Sequence, residues 1–166
     1  MELINKVAES GIITLDLEYY FPTNDIIEID IKDFLFRGLI LKEKEFREAL
    51  KQQNWASYHD KTVALFCSSD AILPQWSVML ITTYLIPYTN QIYFGNQHEV
   101  AYKIFLKNIE QIQVDTFTDA RVVIKGCGTK IVNSDAYMAI TQKLQPVVKS
   151  LMFGEPCSTV PVYKRK

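Results

Sequence analysis

Cys67, Cys127 and Cys157 are the residues of this 166-residue chain with the most distinctive chemistry. A thiolate is both a nucleophile and a metal ligand, and soft sulfur selects zinc and iron–sulfur clusters. Each cysteine follows a short apolar run. Cys67 comes directly after "TVALF", Cys127 after "RVVIKG", and Cys157 shortly after "LMFG". If those runs are parallel strands, all three thiols fall at strand carboxyl ends, the edge where open α/β sheets bind ligands. Cys67 precedes "SSD", so it is expected near a helix N-terminus, where the dipole favours thiolate. Cys127 stands between Gly126 and Gly128, which lets the backbone approach something closely. Cys157 follows Pro156, whose ring restricts the chain.

Three chemistries fit this pattern. In the first, Cys67, Cys127 and Cys157 are thiolate ligands of zinc or an iron–sulfur cluster, with His98 or Glu155 as candidate fourth ligand. In the second, one cysteine acts alone in a thiol enzyme or persulfide carrier, and Cys67 is then the catalytic candidate. In the third, the cysteines pack as small hydrophobes in a non-catalytic binding or scaffold module. Paired C-x-x-C ligands, the usual zinc signature, are absent.

The other polar residues have plainer readings. His98 begins an amphipathic segment and reads more simply as a helix-end polar residue than as a ligand. His59 precedes the first strand, at the opposite edge. Asp70 and Asp135 read as carboxylates at helix N-termini, and Trp76 and Tyr137 as helix-face packing. No glycine-rich phosphate loop, G-x-S-x-G elbow or H-E-x-x-H motif is present. That argues against ordinary kinases, hydrolases and dehydrogenases, and leaves open whether the protein is an enzyme.

An internal repeat positions these residues. "MLITTYLIPYTNQIYFG" (79–95) and "MAITQKLQPVVKSLMFG" (138–154) agree at seven of 17 positions, and the same shift sets "TVALF" over "RVVIK". Each copy reads as strand, helix, strand. Pro87 and Pro146 end the helices, because proline lacks the amide donor. Two β-α-β units, about 60–95 and 119–155, imply a mainly parallel sheet with right-handed crossovers. Between them, residues 98–113 carry Val100, Ile104, Phe105, Ile109 and Ile112 at helical spacing. Ahead of them, "GIITLDLEYY" and "DIIEIDI" alternate as half-buried strands around the turn "FPTND". They are expected to form an antiparallel hairpin, followed by a surface helix over "LKEKEFREALKQQNW".

The expected fold is therefore α/β in a single domain, 1–166. Residues 1–58 form the hairpin and helix; 59–166 form the duplicated units and a C-terminal tail. Hydrophobic residues at 48% and charged residues at 22% suit a globular chain of this length. No run approaches the ~20 apolar residues of a membrane span, and the start lacks a signal-peptide pattern. A cytoplasmic protein with reduced thiols is expected. Residues 1–66 carry 8 basic and 12 acidic groups, and residues 115–166 carry 8 and 4. That excess is too thin for a nucleic-acid footprint. A homodimer is compatible with all three readings.

"VAESGIITLDLE", "DIKDFLFRGLILKEKEFREAL", "CSSDAILPQW", "RVVIKGC" and "GEPCSTVPVYKRK" resemble an uncharacterised Bacteroidetes family, domain of unknown function 2480, over essentially the whole chain. The resemblance implies a small cytoplasmic protein with an accessory role in iron–sulfur cluster or sulfur handling. Iron–sulfur assembly proteins would be its partners.

Overall fold

The computed structural model describes residues 11–126, 128–155 and 157–166, and the backbone of 4–7. Among these residues, eight strands and four α-helices follow in the order β1 (Ile4–Val7), β2 (Ile12–Leu15), β3 (Ile26–Asp30), α1 (Glu43–Gln52), β4 (Thr62–Phe66), α2 (Gln75–Leu85), β5 (Ile92–Phe94), α3 (Gln97–Glu110), β6 (Arg121–Ile124), α4 (Ser134–Leu144), β7 (Ser150–Glu155) and β8 (Ser158–Lys164). The α/β class and the mainly parallel pairing agree with the sequence reading. No described helix is long and apolar enough to cross a membrane.

The chain divides into two compact units. One comprises residues 1–21 and 103–166, the other 22–102, so the second is inserted in the sequence of the first. The first unit holds a five-stranded sheet, β1-β2-β6-β7-β8, and the inserted unit a three-stranded one, β3-β4-β5. In the first, β2, β6 and β7 are parallel, and β1 and β8 add antiparallel edges. In the inserted unit all three strands are parallel.

This arrangement corrects two expectations. An N-terminal antiparallel hairpin exists, but it pairs β1 with β2. The strands at 12–15 and 26–30 do not pair with each other; each joins its own sheet in parallel, beside β6 and beside β4. The predicted single parallel sheet is thus two sheets. The chain beyond Gly154 returns as β8, an edge strand paired with β7.

The β-α-β repeat is present in both units and reaches further than its identical residues. Phe46 and Phe105, Leu50 and Ile109, Val63 and Val122, Ile81 and Ile140, and Leu85 and Leu144 are matched pairs, each fully buried. Both copies place an aspartate, Asp60 (φ 55°) or Asp119 (φ 57°), in the left-handed region just before the central strand. Its amide donates to Tyr88 O in one copy and Val147 O in the other, at 3.0 and 2.9 Å. Aspartate tolerates this conformation better than most side chains. A packing unit reproduced at backbone and core explains why the repeat survives sequence drift at other positions.

The strands that precede the repeat also match. "IITLDL" and "IIEIDI" each carry, next to last, an aspartate that caps a 3₁₀ turn: Asp16 accepts from the Glu18 amide and Asp30 from the Lys32 amide, both at 3.0 Å. Leu15 and Leu17 are buried in one copy, Ile29 and Ile31 in the other. Alternating burial either side of a capping aspartate is what lets so short a strand fix its register.

Candidate functional site

At the carboxyl ends of β2 and β6, parallel pairing sets Leu15 opposite Ile124, so Asp16 and Lys125 emerge side by side. The Lys125 ammonium donates to Asp16 Oδ2 at 2.9 Å, and its amide donates to Leu15 O, also at 2.9 Å. The pair is partly sheltered, with side chains 32% and 15% exposed for Lys125 and Asp16. The hydrogen bond and charge of Asp16 raise the Lys125 pKa above its ordinary value, with burial opposing and Glu155 and Glu18 adding. Lys125 is therefore held as a cation, an anchor or electrostatic group rather than a nucleophilic amine.

The loop after β6 folds around Glu18. Its carboxylate accepts from the Lys130 amide and lies 3.5 Å from the Thr129 hydroxyl. A Cβ on Gly128 would clash with the Glu18 carboxylate, and one on Gly126 would lie 2.6 Å from the Phe153 ring. Both glycines therefore answer a close approach, as expected, but by the protein's own side chains. The Lys130 ammonium sits 5.0 Å from the Phe21 ring centre, a cation–π contact. Asp16, Glu18, Lys125, Lys130 and Tyr137 line a polar cavity of about 400 Å³ here. Sequence reasoning missed this cavity, although "TLDLE" and "VIKG" both pair a strand end with a charge. Only the β2–β6 pairing brings the two together.

Cys157 is exposed, in the turn joining β7 to β8. Glu155, the last residue of β7, is half-buried and pairs with Ser158. Cys127 lies outside the described residues. Cys67 follows β4 of the inserted unit, half-buried against its apolar core, with Sγ 3.4 Å from Ser69 Oγ. The single strand edge expected to carry all three thiols is therefore two edges on two sheets. His98 is exposed on the first turn of α3, in the inserted unit. His59 precedes β4, is exposed, and has Nδ1 3.0 Å from Asp60. Among the described residues, no three of His, Cys, Asp and Glu are grouped so as to hold a metal ion.

The helix expected directly after Cys67 begins later. Helix α2 starts at Gln75, with Pro74 at its N-cap. A residue before proline is pushed to extended backbone, so "SSDAILP" runs as irregular chain. Cys67 and Asp70 thus precede the first turn of α2 by several residues, whereas Asp135 does occupy the first turn of α4. The packing readings of Trp76 and Tyr137 hold. Trp76 meets Phe46 edge-on at 5.9 Å, and Tyr137 meets Phe153 likewise at 5.5 Å.

Fold and cavity together define an α/β protein with a charged pocket at the carboxyl edge of a parallel sheet, the usual place for a ligand in this architecture. A family model described as "Protein of unknown function (DUF2480)" matches residues 1–165, and the chain belongs to that family. No curated protein and no solved structure matches it.

Proposed function

We propose that the protein is an accessory that carries a soft cargo, sulfur or a metal or iron–sulfur centre, at the carboxyl end of β6 and β7. Cys157 and Cys127 are the donors in this reading. The observation that supports it is the parallel pairing of β6 with β7, which sets Ile124 opposite Phe153. Cys127 follows the first of these strands in sequence and Cys157 the second. Cys157 is exposed, which suits a group that must hand something on. Cys67 packs against the apolar core of the inserted unit and is assigned a structural role. Glu155, on the strand leading to Cys157, is the nearest carboxylate in sequence. Iron–sulfur assembly proteins are the partners this reading implies, and a reduced intracellular compartment is its setting.

The test is anaerobic purification followed by metal and sulfide analysis and visible absorption, on wild type and three single Cys→Ser variants. Cys157→Ser and Cys127→Ser are expected to lose the cargo, and Cys67→Ser to keep it. A colourless, metal-free and sulfide-free wild type whose three thiols all alkylate would overturn the reading. Equal loss in Cys67→Ser would restrict it to the three-thiol form.

The exposure of Cys157 favours one second reading, a single-thiol carrier that holds sulfur as a persulfide. The reactive residue is then Cys157 instead of Cys67. The Cys157 thiolate would take the outer sulfur of a donor persulfide, whose own thiolate leaves, and mass spectrometry after incubation with such a persulfide donor would find the added sulfur on Cys157.

A further inference from the structure

A second cavity lies in the same unit as the charged one. Its volume is about 420 Å³, and Ile124, Met138, Leu151, Met152, Phe153 and Val162 give it an apolar wall. Tyr137 lines both cavities, and Ile124 in the apolar one is the chain neighbour of Lys125 in the polar one. The apolar wall is open to solvent: Met138 is 60% exposed, Val162 56% and Phe153 38%. Exposed apolar side chains gathered at a groove are a binding feature when a polar group at one end can orient the ligand.

The polar end has a specific charge pattern. Asp16 and Glu18 are anionic and Lys125 and Lys130 cationic, so opposite charges share one cavity. Lys125 has three ammonium donors, and its bond to Asp16 uses one. Among the described residues Lys130 is in no ion pair; its ammonium rests on the Phe21 ring. Each carboxylate retains acceptor capacity beyond the bonds it makes. A purely anionic head would meet two carboxylates, and a purely cationic one two ammonium groups. A head carrying both charges meets a complement for each.

We infer that the two cavities form one bipartite site for a free apolar or aromatic L-amino acid, its zwitterionic head among Asp16, Glu18, Lys125 and Lys130 and its side chain across Tyr137 in the apolar groove. The inference uses none of the cysteines of the proposed cargo function, although Gly126 and Gly128, which flank Cys127 in sequence, also line the polar cavity. Cavities of this size lie in the range that binds small molecules. Each buried methylene contributes about fourfold in affinity, so side-chain size is the main determinant of which amino acid binds.

Calorimetric titration of the whole chain tests this with L-leucine, L-methionine and L-phenylalanine. Saturable binding is expected for the larger side chains. L-alanine, lacking three carbons of leucine, is expected to bind roughly 50-fold more weakly than leucine. N-acetyl-L-leucine, without the ammonium charge, and L-leucinamide, without the carboxylate, are each expected to lose at least about tenfold. Met138→Glu and Lys130→Ala alter exposed residues and leave the core intact. The first is expected to abolish binding and the second to weaken it, with thermal unfolding unchanged in both. Absence of binding by all three amino acids at millimolar concentration would overturn the inference. So would full binding of either blocked leucine, which would indicate a peptide terminus as ligand, or full binding by the folded Met138→Glu variant.

Discussion

The loops after the central strands show how the two units differ. Phe66, Cys67, Ser68 and Ser69 in the inserted unit match Lys125, Gly126, Cys127 and Gly128 in the other. The positions of the two glycines are filled by side chains in the inserted unit, where Cys67 packs against the core and touches Ser69. The difference traces to the strand alongside. Position 18 is glutamate, reaching into the loop to hold the Lys130 amide. Its counterpart Lys32 instead lies against Gly38, where a Cβ would meet its chain at 3.1 Å. The shared aspartates also diverge. Asp16 binds the Lys125 ammonium, whereas Asp30 accepts from the Ser68 amide at 3.1 Å. One framework therefore supports a charged cavity in one copy and a self-closed loop in the other, and a handful of substitutions accounts for the change.

The strongest challenge to that equivalence is at the core. Phe46→Ala and Phe105→Ala each remove a fully buried ring and are expected to cost about 3–5 kcal/mol by denaturant unfolding. A cost below about 1 kcal/mol for either would show that the copies are not equivalent frames.

The loop comparison is sharpened by exchanging residue types. Gly126→Ala must displace the Phe153 ring and is expected to cost about 1–3 kcal/mol. Cys67→Gly removes a half-buried side chain and frees the backbone, at about 1 kcal/mol. If Gly126→Ala proved neutral in urea unfolding, the ring would not be what dictates glycine there.

The two aspartates share the loss of a cap, and for Asp30 that loss depends on pH. Asp16→Ala and Asp30→Ala both lose a 3₁₀ cap, at about 0.5–2 kcal/mol at neutral pH. Burial pushes the Asp30 pKa up, but hydrogen bonds from Ser68 and Lys32 outweigh it, and the net shift is downward. A depressed carboxyl stabilises the fold above its unfolded value of about 3.9, and that contribution is lost as pH falls through the lower folded value. The difference between wild type and Asp30→Ala should therefore shrink below about pH 4, followed by circular dichroism. Lys125 works in the opposite direction. Its raised pKa stabilises the fold below the unfolded value of about 10.4, and that contribution fades as pH climbs past the folded one. A wild type whose advantage over Asp30→Ala persisted unchanged to pH 2 would rule out the charge of Asp30 as its source.

The smallest effect in energy separates the two described thiols. Exposed Cys157 should alkylate at least about tenfold faster than half-buried Cys67. Peptide mapping after brief iodoacetamide treatment measures the ratio, and equal rates would remove the contrast between them.

The repeat, its helices and its buried faces were legible in the chain itself, because periodicity and spacing are local properties. Identical residues 59 positions apart, such as Leu85 and Leu144, mark the same buried turn of α2 and α4. Strand pairing was not legible. "IITL" and "IIEI" alternate in a way that any partner edge satisfies, so pattern alone could not tell a hairpin from two parallel insertions. The charged cavity depends on that choice, since Asp16 meets Lys125 only because β2 lies beside β6. Local sequence determined which segments form strands and helices. The long-range pairing of those segments, set by burial of whole faces, decided which side chains share a site.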